Sequence, residues 1–236
     1  MSGRPWNARA AQRSLAQHFL SSARLARELV ERAGIAREDR VVELGPGRGV
    51  LTEAIAARAA QVLAVEIDAT LVDELVRRFA STPAVTVLHA DALALPLPAT
   101  PYRVMANVPF NRTSAILRRL LADPAGALTR ADLVVQWQVA RARARASAGP
   151  PLDLLGAQWG PWWSFARGRR LPAALFRPRP SVDAAMMIVT RRGDELLPVA
   201  EHARYVAFVR EAFARDSRVG DLDLSEWTAR YRAGGD

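Results

Sequence analysis

Nine consecutive residues constrain this 236-residue chain more than any others. Val41-Val42-Glu43-Leu44 reads as a short apolar strand that runs into Gly45-Pro46-Gly47-Arg48-Gly49, and helical spacing resumes over residues 51–58. Glycines at alternate positions let the backbone turn sharply and let a ligand approach the main chain closely. A strand, a glycine loop and a helix in that order form the opening unit of a doubly wound α/β sheet.

The rest of the chain repeats the alternation. Apolar strands are predicted at 62–66, 85–88, 102–106 and 133–136, with helices at 71–79 and 113–121 between them. A first helix follows Ser21-Ser22, carries Leu25, Leu29 and Val30 at helical spacing, and stops at Gly34. This pattern predicts a doubly wound sheet whose sites lie at the carboxyl ends of its strands. The Gly45 loop, Glu66, Asp91 and Asn107 all fall at such ends. Residues 137–175 are aromatic, arginine-rich and less regular, 184–190 form a last strand, and helical spacing returns from about Ala200. Three parts follow: a flexible basic arm at 1–16, an α/β domain at 17–193, and a short helical C-terminal domain at 194–236.

Composition removes several classes of function. With no cysteine there is no disulfide framework, thiolate chemistry or zinc–cysteine site, and no metal cluster is visible. No apolar run is long enough to span a membrane, and the N-terminal stretch lacks a secretory apolar core, so a cytoplasmic protein is expected. The net charge of +9 comes from 33 arginines and no lysine. It is unevenly placed, with 13 arginines against 3 acids over 101–180 but 4 against 7 over 41–100. A basic surface of this kind suits a polyanion such as nucleic acid.

Asn107-Val108-Pro109-Phe110 suggests the chemistry. The amino group of a nucleobase is a poor nucleophile because its lone pair is delocalised into the ring. Acceptors that hold its two hydrogens help to turn the nitrogen towards sp³. The Asn107 side-chain oxygen can supply one acceptor and the Val108 carbonyl the other, with Pro109 biasing Val108 towards an extended conformation. Phe110 offers a face for stacking.

The loop follows E-x-G-x-G-x-G instead of the dinucleotide pattern G-x-G-x-x-G, and it resembles the S-adenosylmethionine loop of class I methyltransferases. Gln17-His18-Phe19-Leu20 and Phe176-Arg177-Pro178-Arg179-Pro180-Ser181-Val182-Asp183 narrow the likeness. Together with the glycine loop, Glu66, Asp91-Ala92 and Asn107–Phe110, they resemble the rRNA adenine N6-methyltransferases, the group of the Erm macrolide-resistance enzymes and the KsgA-type small-subunit dimethylases. The resemblance covers about residues 12–192. Residues 134–141 and 160–165 are more similar to actinobacterial Erm enzymes.

The resemblance implies a class I methyltransferase fold, S-adenosyl-L-methionine as methyl donor, and one adenine of 23S rRNA as target, with resistance to macrolides, lincosamides and streptogramin B. By position, Gln17, His18, Leu20, Gly45, Gly47, Glu66, Ile67, Asp91, Ala92 and Asn107 would contact the donor. Asn107, Val108, Pro109 and Phe110 would hold the target base. Arg112, Arg118, Arg141, Arg143 and Arg145 are the candidate RNA contacts, and a monomer is expected. Glu66 and Asp91 would accept hydrogen bonds from the donor's ribose and adenine. His18 stands where the family often has Asn, Val108 replaces Leu or Ile, and a stretch between about 213 and 222 is shortened. Trp159, Trp162, Trp163 and Phe165 are expected in the core. The rival readings are a small-subunit rRNA dimethylase and a non-catalytic nucleic-acid-binding protein of the same fold.

Overall fold

A computed structural model describes residues 18–145, 149 and 151–234. The arm at 1–16 and Gln17 lie outside them. Strand β1 (Phe19–Leu20) leads into helix α1 (Ala23–Ala33), which Ser22 caps by accepting the Leu25 N–H, and Gly34 ends it at φ +63°. Alternation then runs through β2 (Arg40–Leu44), α2 (Val50–Ala56), β3 (Gln61–Glu66), α3 (Ala69–Arg78), β4 (Val85–His89), β5 (Tyr102–Asn107), α4 (Thr113–Leu121) and β6 (Leu128–Gln136). The segment read as less regular folds into α5 (Trp137–Arg145), α6 (Leu154–Trp159) and β7 (Trp163–Leu171). After it come β8 (Phe176–Arg177), β9 (Ala184–Arg191), α7 (His202–Arg215) and α8 (Leu224–Gly234). Among the described residues no helix is long and apolar enough to cross a membrane.

Seven strands form one sheet in the order β4-β3-β2-β5-β6-β9-β7. The first five are mutually parallel, while β9 runs antiparallel to both β6 and β7. The chain leaves β2 towards β3 and β4, then returns to add β5 on its other side. The switch point is therefore between β2 and β5, and it brings the start of the glycine loop beside Asn107.

Strand residues alternate between two apolar layers, as a sheet covered on both faces requires. Val41, Met105, Val134 and Met186 pack with α1 and α2, while Val42, Val104, Leu133 and Met187 pack on the opposite face. That second layer continues without a break into Trp162, Trp163, Tyr205, Val209, Trp227 and Tyr231. The C-terminal helices thus share the core of the sheet. Trp159, Trp162, Trp163 and Phe165 are all buried.

Strand β6 begins at Leu128, five residues earlier than its apolar run. The early part is polar because Arg130 and Arg103 both pair with Asp132 (2.7 and 3.2 Å), and Arg103 also pairs with Asp39 (2.8 Å).

Candidate active site

The site is built from the glycine loop upward. Gly45, Gly47 and Gly49 all adopt positive φ (73°, 57° and 77°), which a side chain would strain. A Cβ on Gly47 would stand 2.5 Å from the Phe19 ring, so this glycine admits the strand that carries Phe19. At Gly45 the same position is open space.

Glu66 is 1% exposed, and its carboxylate is already engaged. Oε2 accepts the Gly47 N–H (3.1 Å), while Oε1 accepts the N–H groups of Ile67 (2.9 Å) and Asp68 (3.0 Å). A carboxylate offers about four acceptor positions, so three are spent on shaping the loop and one is left for a ligand. Glu66 is thus as much a brace of the glycine loop as a binding group. Glu43, one strand over, is also 1% exposed, and its Oε2 finds no partner among the described residues. Burial, assisted by the nearby Glu66 charge, pushes its carboxyl up to about 8.

Two cavities share Gly45 in their lining. The first, about 530 Å³ and open to solvent, is lined by Gly45, Glu66, Ile67, Asp91, Ala92, Pro109 and Arg112 among others. Ile67 is 44% exposed there, an apolar face at the rim, and His89 Nε2 lies 3.2 Å from the Ile67 carbonyl and steadies that loop. Asp91 Oδ1 accepts the Leu93 N–H at 2.9 Å. The second cavity, about 390 Å³, is lined by Phe19, Leu20, Glu43, Gly45 and Asn107 with their neighbours. Leu20, Gly45, Glu66, Ile67, Asp91, Ala92 and Asn107 therefore converge on these two spaces, and Gly47 lies behind them through its bond to Glu66.

Asn107 ends β5, and a contact with His18 orients its amide. Nδ2 donates to the His18 carbonyl at 2.6 Å, which leaves Oδ1 as the acceptor end. The Val108 N–H donates to the Val134 carbonyl (3.0 Å) and its side chain is buried, so the turn is anchored on β6. Pro109 (φ −55°, ψ 127°) starts a short 3₁₀ turn, and Phe110 is half-buried within it.

His18 joins three parts of the chain. Its carbonyl holds Asn107, its ring packs on Phe110 (centroids 5.4 Å apart, tilted 48°), and its Nδ1 lies 2.8 Å from the Pro178 carbonyl. Strand β1 pairs antiparallel with β8, Phe19 opposite Arg177 and Leu20 opposite Phe176. The two distant motifs, Gln17–Leu20 and Phe176–Asp183, are thus one local structure that buttresses the Asn107–Phe110 turn. The structure places His18 at this joint and outside the lining of either cavity. Sequence reasoning missed this because a carbonyl acceptor is common to every residue type.

The arginines divide. Arg112 lines the first cavity, and Arg118 and Arg141 are exposed. Three of the candidate RNA contacts, Arg141, Arg143 and Arg145, lie on α5. Residues two apart on a helix point about 200° apart, and α5 turns Arg143 inward, 7% exposed and ion-paired with Asp153. Arg145 is the last residue of that helix.

Comparison with known proteins identifies a family. The family model for ribosomal RNA adenine dimethylase matches residues 8–226. An rRNA adenine N-6-methyltransferase of Corynebacterium diphtheriae is 40% identical over 183 residues, 77% of this chain and 70% of that protein. A Bacillus licheniformis protein of the same name is 33% identical over 192 residues, and the chain spans only 65% of its length. A probable ribosomal RNA small subunit methyltransferase A of Methanospirillum hungatei is 37% identical over 206 residues, 84% of this chain and 77% of that protein. Among solved structures, the 23S rRNA methyltransferase ErmE superposes with a TM-score of 0.74 at 29% identity, covering 90% of this chain and 84% of that one. The chain belongs to the ribosomal RNA adenine dimethylase family.

Proposed function

We propose that the protein transfers a methyl group from S-adenosylmethionine to the N6 amine of an adenine in 23S rRNA, as a monomer. On this reading it confers resistance to macrolides, lincosamides and streptogramin B. The observation that carries it is the Asn107 amide, held by His18 with its oxygen as the acceptor end, in the wall of a cavity that shares Gly45 with the Glu66–Asp91 cavity.

The residues fit such a donor. Gly45 leaves open space where a side chain would block approach, Glu66 keeps one acceptor position, and Ile67 and Asp91 supply an apolar face and a carboxylate. When bound, S-adenosylmethionine supplies an electrophilic methyl group. The chain's part is positioning and acceptor geometry. Asn107 Oδ1 and the Val108 carbonyl hold the two amine hydrogens, and Phe110 stacks the extruded base. Flipping an adenine costs a few kcal/mol, least in a loop, while stacking on one aromatic returns roughly 1–3 kcal/mol. Phe110 is sufficient in size for that task. No strong base is needed, because the proton can leave after the methyl arrives.

A second reading, a small-subunit rRNA dimethylase, draws support from the 37% identity to the Methanospirillum hungatei protein. Primer extension on rRNA from expressing cells separates the two. The proposal expects one new stop in 23S rRNA and none in 16S rRNA, and a stop confined to 16S rRNA would overturn it.

A further inference from the structure

Strand β7 is the edge of the sheet, and it presents Arg167, Arg169 and Arg170 to solvent. Exposed arginines on an edge strand also deter unwanted pairing, so charge alone assigns no partner. Their arrangement says more. The guanidinium carbon of Arg167 lies 4.5 Å from the centroid of the Trp137 ring, and that of Arg170 lies 4.9 Å from it. Arg170 is also pinned to Asp183, with Nε and Nη2 each 2.8 Å from Oδ2. Arg169 is ion-paired with Glu28. Arg167 has no carboxylate partner among the described residues, so its charge is balanced only by the indole face.

The register fixes where this cluster sits. Asn107 pairs with Val134, so Trp137 follows at the same carboxyl end of the parallel strands. Gln136 pairs with Ala184, and Ala184 with Leu171, which brings the Arg170 end of β7 to that end too. Asn107 and β7 are separated by three strand spacings, about 14 Å. The main chain of Trp137 is also tied in, its N–H donating to the Asp183 carbonyl at 2.9 Å.

We infer that Trp137, Arg167 and Arg170 form a phosphate clamp for the RNA strand that flanks the methylated adenine. This rests on the methyltransferase reading above. A guanidinium laid against an indole keeps its outward N–H groups free for a phosphate and loses less side-chain freedom when it binds one. Such a site recognises the backbone and not the base sequence. It also adds basic contacts beyond α5, where Arg143 is buried in an ion pair with Asp153.

The test is binding of the full chain to a 23S rRNA hairpin over a range of KCl concentrations. Arg167→Ala should weaken binding and flatten the log–log salt slope by about 0.7–0.9, the value for one lost phosphate contact. Trp137→Leu should weaken binding with every charge kept, and Trp137→Phe should restore it, a pattern that a purely electrostatic surface would not produce. Arg77→Ala, the same charge change on α3 near the opposite edge of the sheet, should leave the slope unchanged. Equal effects of Arg77→Ala and Arg167→Ala would overturn the clamp, as would an unaltered slope in Arg167→Ala. A wild-type chain that binds S-adenosylmethionine in calorimetry but not the hairpin would overturn the RNA reading itself, and the clamp with it.

Discussion

Glu43 carries a carboxyl group that the fold takes out of water. Its carboxyl is buried beside the glycine loop and is pushed up to about 8, chiefly by desolvation. The folded chain therefore keeps a proton there that the unfolded chain releases near its ordinary value of 4.5. Between these limits the unfolded state binds fewer protons, so stability falls as pH rises from about 4.5 to about 8. Glu43→Gln keeps the shape and removes the titration. Its melting temperature, measured from pH 5 to 9, should gain on the wild type steadily as pH rises. A variant that loses ground at high pH would show that the carboxylate is ionised and stabilising in the fold. At this scale much was legible. Glu66, Asp91 and Asn107 are polar residues at the ends of apolar strands, a pattern that the residues themselves display. The joint at His18 was not legible, because its tie to Asn107 is made by a backbone carbonyl and its tie to Pro178 spans 160 positions.

Among the elements, the central parallel strands were readable because burial on both faces makes them uniformly apolar. Strand β7 was not. Its sequence Trp163-Ser164-Phe165-Ala166-Arg167-Gly168-Arg169-Arg170-Leu171 begins with the alternation of a strand covered on one face and loses it where the register shifts between Arg167 and Arg170. The first half of β6 was hidden for another reason. Its polar residues are paired inside the structure, and pairing over 29 positions between Arg103 and Asp132 leaves no local trace. Asp132→Ala would leave Arg130 and Arg103 without that carboxylate. Breaking a buried pair costs about 3–5 kcal/mol, and because Arg103 keeps Asp39, the loss expected here is about 3 kcal/mol, the lower end of that range. Urea unfolding should show a lower midpoint with an unchanged slope. A midpoint equal to that of the wild type would mean that the pairing contributes nothing net.

At the scale of the molecule, one sheet brings three distant parts of the chain to a single end. The glycine loop and Glu66 build one cavity, β1 and β8 brace the turn, and Asn107 stands in the wall of a second cavity that shares Gly45 with the first. The family relationship makes the reaction intelligible, and on the proposed reading the decisive role falls to one amide. Asn107 should matter little to folding or RNA binding and greatly to the step in which the amine rehybridises, since its acceptor is worth most in the transition state. The direct measurement is single-turnover methylation of a 23S rRNA hairpin by Asn107→Ala, with a second hairpin whose target adenine is replaced by purine as the control without an amine. Donor affinity should be checked in parallel by calorimetry. The account predicts a rate lower by about 10²–10³, near-normal RNA affinity, and no product from the purine hairpin. A rate close to that of the wild type in a folded, donor-binding variant would contradict it.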